Sequence, residues 1–188
     1  MGKLVVSEFV TLDGVMEDPG GAEGFERGGW AFQFSRGDDG DRFKLDEVIE
    51  ADALLLGRRT YEGFAEAWPS RTDESGFADK MNSMPKYVIS ATMDDAEWTS
   101  STVVPDVSEI PDLKQRHDGD LLVYGSATLL AALVEQNLVD ELRLMIFPVV
   151  LGAGKRLFPD GLARRPFALA ETTQAGETAI VTLRRVGA

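Results

Sequence analysis

The residues best placed to do chemistry follow a short apolar run, Ala53–Leu56, that stops at Gly57. Arg58, Arg59 and Thr60 come next. The pattern predicts a buried strand that turns tightly at the glycine into a helix, and the first amides of a helix attract anions. Because an arginine side chain can hold a phosphate through two parallel hydrogen bonds, this spacing indicates a phosphate-binding turn. A capped helix with two solvated arginines would give the same pattern.

A second strand, Asp120–Tyr124, runs into small residues in the same way. Gly125, Ser126, Ala127 and Thr128 follow it and lead into a helix. Small side chains let a ligand approach the backbone closely, and ligands of open α/β sheets lie beyond the carboxyl ends of the strands. We therefore expect both turns to line one crevice. The alternative is an ordinary strand-to-helix turn that needs glycine for its backbone.

An acidic candidate, Asp13, follows the first predicted strand, Leu4–Leu12, and precedes Gly14. A carboxylate there can accept hydrogen bonds from the amidine or ureide edge of a heterocycle, or steer a proton. The common alternative is a plain Asp-Gly turn. Glu8 and Glu17 are weaker candidates, because we expect both side chains to be solvated.

Other residues are open to more than one interpretation. Trp30, Phe32 and Phe34 alternate along the chain, so they could wall a pocket or form an edge strand that packs on the core. His117 lies in a polar run and is predicted to be a surface residue. Residues 152–155 include two glycines and a lysine but lack the spacing of a phosphate-binding P-loop, so we predict a flexible loop there.

The composition of the 188-residue chain narrows the function classes. The net charge of -13 disfavours binding to nucleic acid or to an anionic membrane, since both attract lysine and arginine. The absence of cysteine and the single histidine exclude thiol catalysis, disulfides and multi-histidine metal sites, and we expect no bound metal. No apolar run of about 20 residues occurs, so we predict a cytoplasmic protein without a membrane span.

The same pattern predicts the elements that must position these residues. Helical spacing is found in Asp41–Ala51, Thr60–Trp68, Gly76–Met84 and Ala127–Gln136. Strands are predicted at Leu4–Leu12, Ala53–Leu56, Lys86–Ser90, Thr102–Val104, Asp120–Tyr124, Glu141–Val150, Phe167–Thr173 and Ala179–Val186. Strands alternate with helices up to about residue 150 and then follow alone. This order predicts a single α/β domain over residues 1–188, with a mostly parallel sheet and an antiparallel edge hairpin.

Stretches spread over most of the chain resemble the dihydrofolate reductase superfamily. They are most similar to the branch related to the C-terminal reductase domain of the riboflavin-biosynthesis protein RibD. The stretches are Ser7–Gly14, Leu55–Glu62, Lys86–Ser90, Val123–Ser126, Leu138–Leu142 and Phe147–Gly154. They follow the order of the family, so the resemblance covers a whole domain. It implies a central sheet with helices on both faces that binds NADPH in an extended form.

The resemblance also assigns cofactor contacts. Gly57, Arg58 and Thr60 match the family's G-R-x-T turn, in which arginine meets the adenosine 2′-phosphate and threonine the pyrophosphate. Ser90 matches the strand end beside that phosphate, and Gly125–Ser126 match the glycine pair beneath the cofactor. The full cofactor-binding set expected is Gly57, Arg58, Arg59, Thr60, Ser90, Gly125, Ser126, Ala127 and Thr128.

The activity implied is hydride transfer from NADPH to a pterin- or pyrimidine-like small molecule, as in 5-amino-6-(5-phosphoribosylamino)uracil reductase or dihydrofolate reductase. Asp13 matches a substrate-side aspartate and is the expected catalytic residue, which would orient the substrate or relay a proton. The glycine-rich loop 17–29 would act as a lid. The other substrate positions expected are Ser7, Trp30, Pro148 and Gly152.

Two further expectations come from the comparison with the family's pattern. Tyr124 stands where riboflavin-type reductases have an acid, which favours an alternative function, that of a catalytically silent nucleotide-binding module. Relatives in the family often form dimers, so a homodimer is expected.

Overall fold

Eight strands form one mixed sheet in the computed structural model, which describes residues 1–187. The strands are β1 (Leu4–Thr11), β2 (Ala53–Gly57), β3 (Lys86–Ile89), β4 (Ser101–Val104), β5 (Leu121–Val123), β6 (Glu141–Phe147), β7 (Phe167–Ala175) and β8 (Thr178–Arg185). The α-helices are α1 (Gly37–Glu50), α2 (Arg58–Ala67), α3 (Phe77–Ser83), α4 (Ile110–Arg116) and α5 (Ala127–Glu135). Short 3-10 helices lie at Trp30–Gln33 and Val107–Glu109.

The strand order is β4-β3-β2-β5-β1-β6-β8-β7. The pairs from β4 through to β6 are all parallel, whereas β8 pairs antiparallel with both β6 and β7. This confirms the predicted mostly parallel sheet with an antiparallel edge hairpin. Because the first strands are parallel, their carboxyl ends meet at one edge of the sheet.

Helices cover both faces of the sheet, as predicted. On one face Leu4 and Val6 of β1 pack in a core with Leu130 of α5. On the other face Val5 packs in a core with Val48 of α1. β1 lies between β5 and β6, so it is buried on both faces, which is typical of a central parallel strand.

Some predicted boundaries are corrected by the structure. β6 ends at Phe147 rather than Val150, because Pro148 has no backbone N–H to continue the ladder. Helix α4 was not predicted, since it has seven residues and its sequence is mainly polar. A start signal was nevertheless present: Asp106 caps the 3-10 helix Val107–Glu109 by accepting a hydrogen bond from the Ser108 amide, this helix runs directly into α4, and Pro111 falls in the first turn of α4.

The aromatic segment 30–34 is not an edge strand. Trp30–Gln33 forms a 3-10 helix in which Trp30 is buried and Phe32 is 81% exposed. The 3-10 turn sends the alternate aromatic side chains to different environments, which a period of two did not anticipate. Among residues 1–187, no helix has both the length and the apolar character needed to cross a bilayer.

Candidate functional site

Two turns meet at the carboxyl edge of the neighbouring strands β2 and β5. The Gly57 amide donates a hydrogen bond to Ser126 Oγ at 2.8 Å. Ser126 Oγ in turn donates to Thr60 Oγ1 at 2.8 Å. One serine hydroxyl therefore ties the turn that starts α2 to the turn that starts α5. The expectation that both turns line one crevice requires this juxtaposition.

The close approach of the two turns explains their glycines. A Cβ on Gly57 would lie 2.9 Å from Ser126 Oγ, and a Cβ on Gly125 would lie 3.0 Å from Thr60 Oγ1. Gly125 has a φ of 61° and Ser126 a φ of 65°. The left-handed conformation costs a non-glycine residue roughly 1–2 kcal/mol. Ser126 therefore holds a strained backbone in place through the hydrogen bonds of its own side chain.

A third turn, after β3, reaches the same place. Arg58 donates from Nε to Glu62 Oε1 at 2.7 Å and from a terminal nitrogen to Thr92 Oγ1 at 3.1 Å. Ser90 Oγ accepts the Met93 amide at 3.1 Å and shapes this turn. We call residues 57–60, 90–92 and 125–128 the three-turn corner.

The positive charge of the corner is only weakly paired within the fold. Arg59 is exposed, and its side chain forms no hydrogen bond or ion pair within residues 1–187. Arg58 is half-exposed, and its partner Glu62 lies on the same helix at the i,i+4 position. Exposed pairs of this kind contribute little to stability, so Arg58 can turn toward a ligand at low cost.

Asp13 lies at a different corner, beyond the ends of β1 and β6. Its carboxylate accepts hydrogen bonds from Thr11 Oγ1 at 2.6 Å, from the Gly152 amide at 2.8 Å and from the Leu151 amide at 3.2 Å. These hydrogen bonds, that from Thr11 foremost, lower the pKa of Asp13 to about 2. Asp13 is therefore ionised at neutral pH and fastens the end of β1 to the loop after β6. It can accept further hydrogen bonds but holds no proton to give.

The substrate positions expected from the sequence are not all in one environment. Gly152 is exposed and bonds to Asp13, and Pro148 nearby is exposed as well. Trp30 is 1% exposed: its ring packs edge-on against Phe147, with centroids 5.3 Å apart, so it supports this corner from within the core. Ser7 is buried beneath α1, as described next.

Sequence reasoning did not find a group of buried polar side chains between α1 and the sheet. Glu47 Oε1 accepts hydrogen bonds from Ser7 Oγ at 2.9 Å and from the Tyr124 hydroxyl at 2.7 Å, and it forms an ion pair with Lys44. Lys44 Nζ lies 4.2 Å from the centre of the Tyr124 ring. We call these four residues the buried α1 cluster.

Burial governs the protonation of the buried α1 cluster. It lowers the pKa of Lys44, although the carboxylate of Glu47 opposes that shift. It raises the pKa of Tyr124 well above its ordinary value, and the adjacent Glu47 carboxylate adds to the effect. The tyrosine therefore remains neutral, and its hydroxyl donates a hydrogen bond to Glu47 Oε1. Arg143 Nη1 stands 3.9 Å from the other oxygen of Glu47.

Glu8 is not solvated, contrary to the prediction. It is 6% exposed, and burial raises the pKa of its carboxyl well above the ordinary value. Its Oε1 finds no hydrogen-bond partner within residues 1–187. Glu8 stands in the middle of a predicted strand, and the structure places that strand centrally in the sheet, where both faces are covered.

Two other expectations are affected by packing. His117 was predicted at the surface, but its side chain is only 13% exposed, and its Nε2 lies 2.9 Å from the Tyr87 hydroxyl.

The loop 17–29 is organised around Asp18. Asp18 is 2% exposed, and its side chain accepts hydrogen bonds from the amides of Glu23 and Phe25 at 3.0 and 3.1 Å. Closure of this loop as a lid stays a prediction, and so does the homodimer.

Comparison with known proteins places these features in a family. The model of the RibD C-terminal domain matches residues 2–181. The uncharacterized protein YyaP of Bacillus subtilis (strain 168) is 30% identical over 162 residues, which are 84% of this chain and 81% of that protein.

Solved structures share the fold at lower identity. A putative riboflavin biosynthesis protein from Shewanella sp. PV-4 has a TM-score of 0.75 at 19% identity, and the match covers 97% of this chain and 98% of that one. Dihydrofolate reductase from Enterococcus faecalis, solved with NADP(H), has a TM-score of 0.59 at 16% identity and coverages of 98% and 97%. The chain therefore belongs to the RibD C-terminal domain family and has the dihydrofolate reductase-like fold.

Proposed function

We propose that this protein is an NADPH-dependent reductase that acts on a pterin- or pyrimidine-like small molecule. The observation that carries the proposal is the three-turn corner, where the starts of two helices and two arginines come together. Gly57 is the N-cap of α2 and Ser126 the N-cap of α5, and Ser126 Oγ joins the two turns. The free amides of both helices therefore face one place, and they favour anions there.

The residues present fit a dinucleotide phosphate. The pyrophosphate would meet the amides at the two helix starts together with Thr60, whose neighbour Gly125 has no side chain to block approach. Arg58 and Arg59 would meet the 2′-phosphate, because guanidinium groups pair with phosphate in a bidentate geometry. In a chain with a net charge of -13, a corner with two exposed arginines and no described carboxylate partner for Arg59 is suited to an anion.

The cofactor, when bound, supplies the hydride, and the protein supplies position and hydrogen bonds. Asp13 is an ionised carboxylate held at the β1–β6 corner, so it is suited to accept hydrogen bonds from N–H groups of a heterocycle. It is not suited to donate the proton that accompanies hydride transfer, because its pKa is about 2. Asp13 is thus proposed to orient the substrate and not to relay a proton.

One observation favours a second function, that of a silent nucleotide-binding module. Tyr124, which stands in the place of the family's acid, has its hydroxyl committed to buried Glu47 and keeps its proton. A reductase without an acid at this position must use another group to complete substrate reduction.

Two measurements separate the functions. NADPH is titrated into the protein while tryptophan fluorescence is followed, and then the absorbance of the reduced nicotinamide is followed with 7,8-dihydrofolate and with a ribosylaminopyrimidine phosphate. Binding with consumption supports the reductase, and binding without consumption on either substrate supports the silent module. Failure to bind any dinucleotide would contradict both.

A further inference from the structure

Glu8 occupies a distinctive place in the sheet. β1 pairs with β5 only as far as Val6, which is opposite Val123, whereas it continues beside β6 to Thr11. Beyond Val6 the β5 side of β1 therefore faces the Gly125 turn instead of a strand. Glu8 lies two residues beyond Val6, at the start of this opening in the ladder, and the nearby Gly125 amide lowers the pKa of its carboxyl. Gly125 belongs to the three-turn corner, so the opening adjoins that corner.

The interactions of Glu8 within residues 1–187 do not explain its burial. Its Oε1 is buried without a hydrogen-bond partner in residues 1–187, and Glu8 takes part in no ion pair there. Lys44, the cation whose charge acts on Glu8, is already paired with Glu47 and donates to Ser7 at 3.0 Å. A leucine of similar size would not carry the cost of a buried polar atom that lacks a partner. An unpaired buried polar group of this kind calls for an explanation outside the fold.

The chemistry of a buried neutral carboxyl defines what it can bind. Burial raises the pKa of Glu8 well above its ordinary value, although the Lys44 charge and the Gly125 amide oppose that shift, so burial favours the protonated carboxyl. A protonated carboxyl offers one O–H donor and one C=O acceptor side by side. A planar amide presents the complementary pair, an N–H next to a carbonyl.

We propose that Glu8 recognises the amide edge of the ligand that enters the opening between β1 and the Gly125 turn. The amide can come from the carboxamide of a nicotinamide ring or from the lactam of a pterin- or pyrimidine-like substrate. This inference rests on the proposed function, because that function brings such a ligand to the three-turn corner.

The test uses two variants of similar size. Glu8→Gln keeps a donor and an acceptor in place, and Glu8→Leu removes both. Three probes are titrated by calorimetry into each protein: NADPH, folate in the presence of saturating NADP+, and adenosine 2′,5′-bisphosphate, which has no amide. Thermal unfolding of each variant is followed in parallel.

Glu8→Leu is expected to weaken an amide-bearing probe by about tenfold or more, because the hydrogen bonds to the amide edge are lost. Glu8→Gln stays close to the wild type, adenosine 2′,5′-bisphosphate binds all three proteins equally, and Tm of Glu8→Leu is unchanged or higher. A loss confined to NADPH identifies the carboxamide as the partner, and a loss confined to folate identifies the lactam.

Two results would overturn the inference alone. One is that Glu8→Leu binds every probe as the wild type does. The other is that Tm falls and adenosine 2′,5′-bisphosphate is lost together with the other probes, which would show a structural role. If the wild-type protein binds neither dinucleotide nor adenosine 2′,5′-bisphosphate, the proposed function itself fails, and this inference fails with it.

Discussion

The three-turn corner and the buried α1 cluster use charge in opposite ways. At the corner, Arg58 and its partner Glu62 are each about half exposed, at 49% and 48% of their side-chain surface. In the cluster, Lys44 and Glu47 keep only 11% and 2%. Exposed charges cost little to hold and are free to meet a ligand, whereas buried charges must satisfy one another. The comparison supports the proposal that the corner binds a ligand, whereas the cluster fixes α1 on the sheet.

Removing one acid from each pair is the strongest test of this comparison. Glu47→Gln leaves Lys44 buried without its counter-charge and is expected to lower the free energy of unfolding by about 3–5 kcal/mol. The matched change at the corner, Glu62→Gln, is expected to cost less than about 1 kcal/mol. Urea unfolding at neutral pH measures both.

The partner of Glu47 supplies the control. The double variant Lys44→Met/Glu47→Leu removes the pair together and is expected to recover part of the loss, since the pair leaves no uncompensated charge although the Ser7 and Tyr124 hydroxyls lose their acceptor. If Glu47→Gln and Glu62→Gln cost the same, the distinction between the two regions is wrong.

Lys86 extends the comparison to a buried cation that pairs with no carboxylate among residues 1–187. Its Nζ donates to the carbonyls of Asn82, Met84 and Thr99 at 2.9, 2.8 and 3.0 Å, and burial lowers its pKa to about 8. Between pH 8 and 10 the unfolded chain therefore binds this proton while the folded chain has lost it. Stability should rise with pH in that window, by on the order of 2–3 kcal/mol.

The measurement is the free energy of unfolding at several values between pH 8 and 10. The variant Lys86→Met lacks the titrating group, so its slope should be flatter than that of the wild type, whatever its absolute stability. Parallel slopes for the two proteins would show that Lys86 does not titrate in this range.

Ser126 tests the connection within the three-turn corner. Ser126→Ala removes the acceptor of the Gly57 amide and the donor to Thr60, and it keeps a left-handed backbone that alanine disfavours. We expect a loss of about 1–2 kcal/mol. Ser126→Gly should cost about 1 kcal/mol less than Ser126→Ala, because glycine adopts the same conformation without strain. Thermal unfolding compares the two, and equal losses would show that the backbone conformation contributes nothing.

The turns at Gly57 and Gly125 could be predicted from the sequence because their signals are local. Gly57 ends an apolar run and Gly125 ends another, and each is followed directly by a helix. The α/β order of elements then brings the two turns to one edge of the sheet. The parallel sheet, the edge hairpin and helices on both faces followed from the same order of strands and helices.

The buried α1 cluster was missed because its contacts are distant in sequence. Ser7 and Glu47 are 40 positions apart, and Glu47 and Tyr124 are 77 apart. No spacing rule connects such residues, and each alone is typical of a solvated side chain. The burial of Glu8 was missed for another reason: it follows from the central position of β1, which the structure shows and the sequence analysis did not predict.

The central claim is that the three-turn corner holds the phosphates of NADPH, and Arg58→Ala tests it most directly. Dissociation constants for NADPH and NADH are measured for the wild type, for Arg58→Ala and for Arg116→Ala, an exposed arginine on α4 that serves as control. We predict that Arg58→Ala weakens NADPH by about tenfold or more and leaves NADH within about threefold, because only NADPH has the 2′-phosphate. Arg116→Ala should change neither. Equal losses for NADPH and NADH, or no loss for either, would contradict the account.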